Sequence, residues 1–380
     1  MLKSKLHRAT VTATEIDYEG SIAIVPGANP KIRNGDVQYP FRQDSDFRYL
    51  TGFDEPNAVF VLIPGREHGE TLLFCRERDN EHERWHGHVT GPEFAMQLFG
   101  MDDAFPVSDI DDILPGLIEG RSKLYYAMGV DRDFDHQVIE WVKKISQSDH
   151  LGAESPGEFV QLDHYLHELR LFKSAAEIAL MKLAADATVK GHCRIMQKTQ
   201  PGMMEYELEA ELIHEFSING ARYCAYPPIV GGGANACVLH YVANNEVLAD
   251  GDLVLVDAGG EYEGYACDLT RTFPVNGRFS ESQARVYEVV LRAQEAAIAA
   301  VRPGNTWNEP HEAAIRELSK GLVTLGVLSG KLDELIGEEA YLPYCMTKTG
   351  HWLGLDVHDV GDYQVNGQWR VFEEGMVTTI

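Results

Sequence analysis

Hydrophobic residues in the N-terminal part of the chain recur in short runs that predict buried strands. These runs cover residues 22–25, 58–63, 71–75 and 124–127, and polar turns or helical patterns separate them. Alternation of short strands with helices is typical of an α/β domain. The pattern therefore predicts that the first part of the chain folds as an α/β unit.

The rest of the chain shows longer helical patterns. Apolar residues recur at helical spacing between residues 168 and 197, where Ser174 and Glu177 form a capping-box pattern that predicts a helix start. Further helices are predicted over residues 204–220 and 280–301, with antiparallel strands between them. Residues 146–158 are rich in Gly, Ser, Pro and acidic side chains and predict a linker. We therefore predict an α/β domain over residues 1–160 and an α+β domain over residues 161–380.

Composition and charge exclude several classes of function. The 380 residues are 44% hydrophobic and 24% charged, which is typical of a globular protein, and the formal net charge is −26. This charge repels phosphate backbones and anionic membranes, so we expect neither nucleic acid nor membrane as a partner. Six cysteines without a Cys-x-x-Cys pair argue against disulfides and a structural zinc site. With no signal peptide or membrane span in the sequence, we expect a cytoplasmic protein.

Asp257 and Asp268 are the most informative acidic residues, because they lie in two apolar stretches joined by a polar turn. If the turn is centred between Tyr262 and Glu263, the two aspartates face each other across paired strands. Like charges about 5 Å apart destabilise such a pair unless a cation bridges them. Oxygen ligands favour Mn²⁺, Mg²⁺ or Ca²⁺, and a histidine ligand shifts the preference toward Mn²⁺, Co²⁺ or Zn²⁺. The alternative is that the turn is offset by one residue and each aspartate only ends a strand or caps a loop.

Three histidines add to this interpretation. His351 and His358 lie seven residues apart around a glycine, and His240 follows the apolar residues 237–239 and the glycines 231–233. A histidine by itself is more often a satisfied polar residue than a metal ligand. Together with the aspartate pair, the three histidines favour the metal-site interpretation over isolated polar residues.

Several motifs resemble those of a known family. They are YPFRQDSDF at residues 39–47, YLTGF at 49–53, HELRLFKS at 167–174, the Asp257 and Asp268 stretch, and HWLGLDVH at 351–358. With these motifs, residues 21–380 resemble the Xaa-Pro aminopeptidases (aminopeptidase P) of the pita-bread metallohydrolase superfamily. The resemblance implies a creatinase-like α/β N-terminal domain followed by an α+β pita-bread catalytic domain.

The resemblance also implies a function and a set of site residues. It implies a homo-oligomer, a dimer or tetramer, that releases the N-terminal residue from peptides with proline second. Two Mn²⁺ ions, or alternatively Co²⁺ or Zn²⁺, would share a bridging water or hydroxide. Asp257 would bind one metal, Asp268 would bridge both and His351 would bind the other. His240 and His358 match histidines that hydrogen-bond the substrate.

The sequence departs from the family pattern in two places. In the family, one glutamate ligand follows the position of Ile380 directly and a second comes later, so we expect a C-terminally truncated, incomplete catalytic domain that holds metal weakly. Thr347 also stands where the family usually has a histidine. Two other functions therefore stay open: a catalytically impaired pita-bread protein that binds peptides, and a prolidase-like dipeptidase.

The N-terminal end has a second resemblance. About the first twenty residues resemble the start of pyruvoyl-dependent aspartate 1-decarboxylase, in which a Gly-Ser bond cleaves itself, and Gly20 and Ser21 match that bond. Self-cleavage needs a folded surround that strains the peptide bond, and the rest of that small barrel is absent. The favoured interpretation is an altered or fused N-terminus.

Overall fold

A computed structural model of the chain describes residues 20–147 and 152–380. The chain divides into two compact units, and the division lies between Leu169 and Arg170. The boundary predicted from the sequence, between residues 160 and 161, lies a few residues earlier and stays a prediction. The decarboxylase-like stretch falls on residues 1–19, outside the described residues, and Ser21 begins the first strand.

The first unit alternates strands and helices, as the hydrophobic pattern predicts. In chain order its elements are β1 (Ser21–Pro26), β2 (Ile32–Asn34), β3 (Val37–Gln38), α1 (Ser45–Thr51), β4 (Val59–Leu62), β5 (Thr71–Cys75), α2 (Asn80–His86), α3 (Gly91–Phe99), β6 (Asp103–Pro106), α4 (Ile110–Ile118), β7 (Lys123–Tyr126), α5 (Arg132–Ser146), β8 (Glu158–Gln161) and α6 (Asp163–Leu171).

A six-stranded mixed sheet forms the centre of this unit, in the order β6-β5-β4-β1-β7-β8. Strand β1 pairs antiparallel with β4 and parallel with β7. The strand is almost entirely buried because side chains cover both faces of the sheet. Ile22 and Ile24 share a core cluster with Leu114 of α4 and Trp141 of α5. The predicted α/β character of this part is confirmed.

The second unit combines longer helices with short strands. Its elements are α7 (Ala175–Lys198), α8 (Glu205–Ile218), β9 (Tyr223–Cys224), β10 (Ile229–Gly232), β11 (Leu253–Asp257), β12 (Gly260–Tyr262), β13 (Tyr265–Ala266), β14 (Thr270–Pro274), α9 (Glu281–Ala300), α10 (Glu309–Thr324), α11 (Leu332–Gly337), β15 (Gln364–Val365) and β16 (Gln368–Trp369). Among the described helices, none combines the length and apolar character that a bilayer crossing requires.

The capping box predicted for α7 is confirmed. The Ser174 backbone N–H donates to Glu177 Oε2 at 2.8 Å, and the Glu177 N–H donates to Ser174 Oγ. This box begins a new helix at Ala175, so the helical pattern between residues 168 and 197 is divided into α6 and α7.

Helices α7 and α8 pack on the sheet that carries the candidate site. Leu212 and Phe216 of α8 share a core cluster with Val254 and Val256 of β11. Strand β11 is the middle of the antiparallel sheet β10-β11-β14, and β13-β12-β9 forms a second small sheet. The core therefore anchors β11, whose last residue is Asp257.

The register between the aspartate-bearing stretches differs from the prediction. The turn is centred between Glu263 and Gly264, which both have positive φ (49° and 78°), and Asp257 pairs with Thr270 instead of Asp268. A two-residue turn of this kind requires positive φ at both central residues, and Gly264 adopts it without strain. The prediction that Asp257 and Asp268 face each other directly is therefore wrong: the residue opposite Asp257 lies two positions after Asp268.

Candidate metal centre and active site

Tyr226 connects the two aspartates although they are not directly opposed. Its hydroxyl lies 2.5 Å from Asp257 Oδ1 and 3.2 Å from Asp268 Oδ1. Diagonal neighbours in a sheet lie within reach of such a side chain. Gly259 allows the two stretches to approach, because a Cβ at this position would lie 1.7 Å from the carbonyl oxygen of Cys267.

The Asp257 carboxylate lies in an environment that disfavours its charge. Burial raises the pKa of Asp257, and the negative charge of Asp268 raises it further, whereas hydrogen bonds from Tyr226 and Thr270 and the nearby His240 oppose the rise. The net pKa is above the ordinary value. A half-buried carboxylate with a raised pKa, next to the second half-buried carboxylate of Asp268, is a site that a cation would stabilise.

His351 presents one ring nitrogen to this carboxylate pair. Its Nδ1–H donates to the carbonyl oxygen of Trp352 at 2.8 Å, and its Nε2 lies 3.1 Å from Asp268 Oδ2. Because a carbonyl only accepts, Nδ1 carries the proton and the Nε2 lone pair points at a carboxylate oxygen. Two acceptors at this distance need a proton or a cation between them. Burial lowers the pKa of His351, but the hydrogen bonds with Asp268 and Trp352 and the negative charges of Asp268 and Asp257 together outweigh burial, and the net pKa is raised.

The backbone at His351 is fixed by the last residues of the chain. The His351 N–H donates to Thr379 Oγ1 at 3.1 Å, and the Thr379 N–H donates to the His351 carbonyl at 2.9 Å. The next residue, Trp352, is fully buried and packs on Tyr363 and Phe372. This aromatic packing fixes the backbone at the residue that follows His351.

His358 lies beside His351, with the two ring centroids 4.4 Å apart and the rings nearly perpendicular. His358 is exposed, and the loop that carries it is tied down by buried charges. Asp359 accepts from Arg170 Nη2 at 2.6 Å and from Lys173 Nζ at 2.8 Å. This ion network fixes the loop immediately after His358.

His240 lies on an exposed turn after the 3₁₀ segment Gly233–Cys237. Its position is close enough to Asp257 for its charge to lower the pKa of that carboxyl group. The structure thus brings Asp257, Asp268 and His351 together by direct contacts through Tyr226 and the Asp268–His351 pair. His358 contacts this group through His351, and the link of His240 to it is electrostatic, through the pKa of Asp257.

Sequence reasoning did not identify Tyr226. Its contact depends on the pairing of β9 with β12, which brings the Ala225 N–H to the Gly259 carbonyl at 2.9 Å. Strand β9 has two residues, too few for a periodic signal. Pattern analysis of the sequence therefore cannot predict that Tyr226, which follows this strand, contacts the aspartates.

The first unit contains a separate group of possible ligands. Among the described residues, Asp46, Asp163 and His167 place three potential ligand atoms within 4.8 Å of one another. Asp257, Asp268 and His351 do not form such a mutually close set, because their contacts run pairwise. A pairwise arrangement spreads the ligand atoms over more space than one ion occupies.

Comparisons with protein families agree with this division of the chain. A model of metallopeptidase family M24 matches residues 179–380. A model of the aminopeptidase P N-terminal domain matches residues 4–126. The three proposed ligands thus lie in the part that matches the metallopeptidase model.

Curated relatives match over most of their length. The chain is 44% identical over 379 residues to the Xaa-Pro aminopeptidase of Escherichia coli strain K12, covering 100% of this chain and 86% of that protein. It is 44% identical over 350 residues to the Xaa-Pro aminopeptidase of Haemophilus influenzae, covering 92% of this chain and 79% of that protein.

Solved structures match the whole fold. An aminopeptidase PepP from Pseudomonas aeruginosa is 53% identical, with a TM-score of 0.98 and coverage of 99% of this chain and 85% of that chain. Zinc-substituted Escherichia coli aminopeptidase P in complex with product is 42% identical, with a TM-score of 0.96 and the same coverage. These matches confirm the predicted fold class, a creatinase-like α/β N-terminal domain followed by an α+β pita-bread domain. The chain belongs to metallopeptidase family M24, and within it to the Xaa-Pro aminopeptidases.

Proposed function

We propose that this chain releases the N-terminal residue from peptides with proline in the second position, at a dinuclear Mn²⁺ centre held by Asp257, Asp268 and His351. The observation that carries the proposal is the series of contacts that joins two carboxylates and one imidazole: the Tyr226 hydroxyl contacts Asp257 and Asp268, and His351 Nε2 lies 3.1 Å from Asp268 Oδ2. Membership of a metallopeptidase family implies a divalent metal cofactor. The manganese, the number of ions and the role of each residue are our proposal.

The donor set fits a hard or borderline divalent ion. Two carboxylates and one imidazole match the preference of Mn²⁺, and Co²⁺ or Zn²⁺ are the alternatives. The carbonyl of Trp352 fixes the tautomer of His351, as is common for histidines that bind metal through the other nitrogen. Asp268 shares the Tyr226 hydroxyl with Asp257 and contacts His351, and these contacts support our proposal that Asp268 bridges two ions.

When bound, the metals would lower the pKa of a shared water or hydroxide and polarise the scissile carbonyl. The chain itself would supply the groups that bind and orient the peptide. We propose that His240 and His358, of which His358 packs against His351, hydrogen-bond the substrate around the scissile carbonyl and the proline. A peptide bond to proline has no N–H, so recognition depends on shape and on contacts with carbonyl oxygens.

Titration calorimetry with Mn²⁺ tests the metal site. We expect Asp268→Asn to abolish the Mn²⁺ binding of the chain, because it removes the proposed bridge. Asp250→Asn is the matched control, since Asp250 is an exposed aspartate that contacts Asn276. Unchanged Mn²⁺ binding by Asp268→Asn would refute the ligand assignment.

Peptide hydrolysis distinguishes the candidate functions. In Mn²⁺, we expect cleavage of Xaa-Pro-Yaa peptides and not of Xaa-Ala-Yaa peptides. Cleavage of Xaa-Pro dipeptides alone would favour a prolidase-like dipeptidase, and binding without cleavage would favour a catalytically impaired peptide-binding protein.

The proposal includes the setting in which the enzyme works. We propose a cytoplasmic homo-oligomer, a dimer or tetramer, whose partners are proline-containing peptides. Light scattering at several protein concentrations measures the oligomeric state, and a monomer at all concentrations would refute that part. The net charge of −26 supports the exclusion of nucleic acid as a partner.

A further inference from the structure

Glu205, the first residue of α8, is a completely buried carboxylate in contact with the loop that carries His240. It accepts four hydrogen bonds, two on each oxygen. The donors are the Gly232 N–H at 2.8 Å and Asn235 Nδ2 at 3.1 Å to Oε1, and the Tyr241 hydroxyl at 2.7 Å and the Glu246 N–H at 3.0 Å to Oε2.

These donors bracket His240 in the sequence. Gly232 and Asn235 lie before the histidine, whereas Tyr241 follows it directly and Glu246 ends the loop. One carboxylate therefore holds both sides of the loop. A displacement of Glu205 changes the position of both sides together.

Glu209, one helical turn after Glu205 on α8, is a second anchor, and it holds Asn244 of the loop. Asn244, which is 1% exposed, donates to Glu209 Oε2 and to the Pro228 carbonyl, both at 2.9 Å. Its Oδ1 accepts from the Val230 N–H at 3.0 Å. Positions four apart on a helix share one face, so Glu205 and Glu209 hold the loop from the same side of α8.

Apolar burial contributes little to the conformation of the loop itself. Val238, Leu239 and Val242 are 53%, 63% and 54% exposed. The polar contacts with α8 therefore determine where His240 lies. A buried carboxylate is costly unless hydrogen bonds satisfy it, and four hydrogen bonds from the loop satisfy Glu205.

The charge of Glu205 is stabilised by these contacts. Burial alone raises the pKa of Glu205, but the hydrogen bonds from Gly232, Glu246, Tyr241 and Asn235 outweigh it and the net pKa is lowered. The glutamate is thus ionised at neutral pH. An ionised carboxylate accepts at both oxygens, and a neutral amide of the same size does not.

We propose that Glu205 is a positioning residue that sets the placement of His240 toward the substrate by holding both sides of its loop. The proposal rests on the proposed function, in which His240 contacts the substrate. The loop ends are held independently, by the pairing of β10 with β11 and by a bridge between Met204 and Val247. Loss of the Glu205 charge would therefore displace the middle of the loop and leave its ends attached.

Glu205→Gln tests this role, because it keeps the size of the side chain and replaces one acceptor oxygen by an NH₂ group that faces two donors. We expect kcat/KM on an Xaa-Pro-Yaa peptide to fall about 10- to 100-fold, the scale of a misplacement of about 1 Å. Bound Mn²⁺, measured on the same sample, should not change. Glu207→Gln is the matched control, since Glu207 lies exposed in the same helical turn and caps the Met204 N–H, which glutamine also does.

A double-mutant cycle distinguishes positioning of His240 from a general structural role. If Glu205 acts through His240, Glu205→Gln in a His240→Ala background should lower kcat/KM by less than about 3-fold. An equal loss in both backgrounds would overturn the proposal. So would a Glu205→Gln variant with the kcat/KM of the parent.

Two measurements without catalysis keep the proposal testable if the proposed function fails. Amide hydrogen exchange over residues 238–243 should be faster in Glu205→Gln than in Glu207→Gln, and the NMR signal of the His240 ring should shift only in the former. Unchanged exchange and an unchanged signal would overturn the proposal whatever the enzyme does. Changed exchange in a chain that cleaves no peptide would refute the proposed function and retain the loop-holding role of Glu205.

Discussion

Asp359→Asn is the variant that most directly tests how the loop with His358 is held. The Asp359 side chain is 1% exposed and lies between Arg170 and Lys173, whose side chains are 3% and 1% exposed. The substitution preserves the size of the side chain and removes the negative charge. It leaves the ammonium group of Lys173 facing an amide in a buried site, although burial already lowers the pKa of Lys173.

The expected loss of stability follows from this burial. Removing one partner of a buried ion pair costs about 3–5 kcal/mol, because an uncompensated charge remains. Arg170 keeps a second carboxylate, Asp356, at 2.7 Å, so we expect the lower end, about 3 kcal/mol. For a unit of roughly two hundred residues this corresponds to a decrease in Tm of about 6–12 °C.

Calorimetry and urea unfolding measure this loss, and Asp333→Asn is the control. Asp333 makes the same type of pair with Arg316, but at the surface, where its side chain is 84% exposed. Such a pair contributes about 0–1 kcal/mol. If Asp359→Asn lowers stability no more than Asp333→Asn, the buried network does not hold the loop. We also expect peptidase activity per folded molecule to fall in Asp359→Asn, since His358 is the preceding residue.

Other substitutions test the remaining parts of the site. Gly259→Ala should lower the urea-unfolding free energy by more than about 2 kcal/mol, because its Cβ would overlap the carbonyl of Cys267. Tyr226→Phe should lower the free energy of unfolding of the metal-free protein by about 1.5–3 kcal/mol, because it removes the hydrogen bonds to the two carboxylates. Saturation with Mn²⁺ should reduce the stability difference between this variant and the parent, since a cation then stabilises the carboxylates. The pKa of Glu205 is lower in the folded protein than in the unfolded chain, where it is about 4.3. The charge of Glu205 therefore stabilises the fold fully when the pH is above the unfolded-state pKa, and this stabilisation is lost as the pH falls through the folded-state pKa. The stability difference between Glu205→Gln and the parent should therefore be constant above about pH 5 and should shrink in acid; a difference independent of pH down to 3 would contradict this assignment.

The sequence predicted the elements whose signal is local. Strands β1, β4 and β5 and the capping box of α7 each follow from a short apolar run or a short capping pattern. The clustering of Asp257, Asp268 and His351 was also predicted, since the residue types and the family motifs indicated it. These features need no knowledge of which distant segments meet.

The pairing register was the point where local reasoning failed. The turn could be centred on either side of Glu263, and the apolar pattern on both strands is compatible with both choices. The conformation of Gly264, with φ of 78°, selects the observed one. An error of one residue in the turn moves each cross-strand pair by two residues, which keeps side chains on the same face of the sheet and so keeps the aspartates near each other.

The contacts that fix the histidines are of a different kind, because they join residues far apart in the chain. Asp359 contacts Arg170 across 189 positions, and Glu205 contacts Tyr241 across 36. No periodic pattern records such pairs, and each acidic side chain looks like a solvated surface residue in the sequence. Burial of the carboxylate distinguishes these two from the many surface acids of a chain with 59 acidic residues.

This difference has a consequence for how the site tolerates change. Asp257 ends a strand whose ladder and apolar core hold it, so substitutions around β11 are buffered by many small contributions. The loop that carries His240 is instead held by a few polar contacts with α8: Glu205 accepts four hydrogen bonds and Glu209 accepts one from Asn244. Loss of one acceptor there leaves several donors unsatisfied at once, each at a cost of about 1–3 kcal/mol. We therefore expect polar substitutions at α8 to affect the geometry of the histidine more than apolar substitutions in the core beneath Asp257.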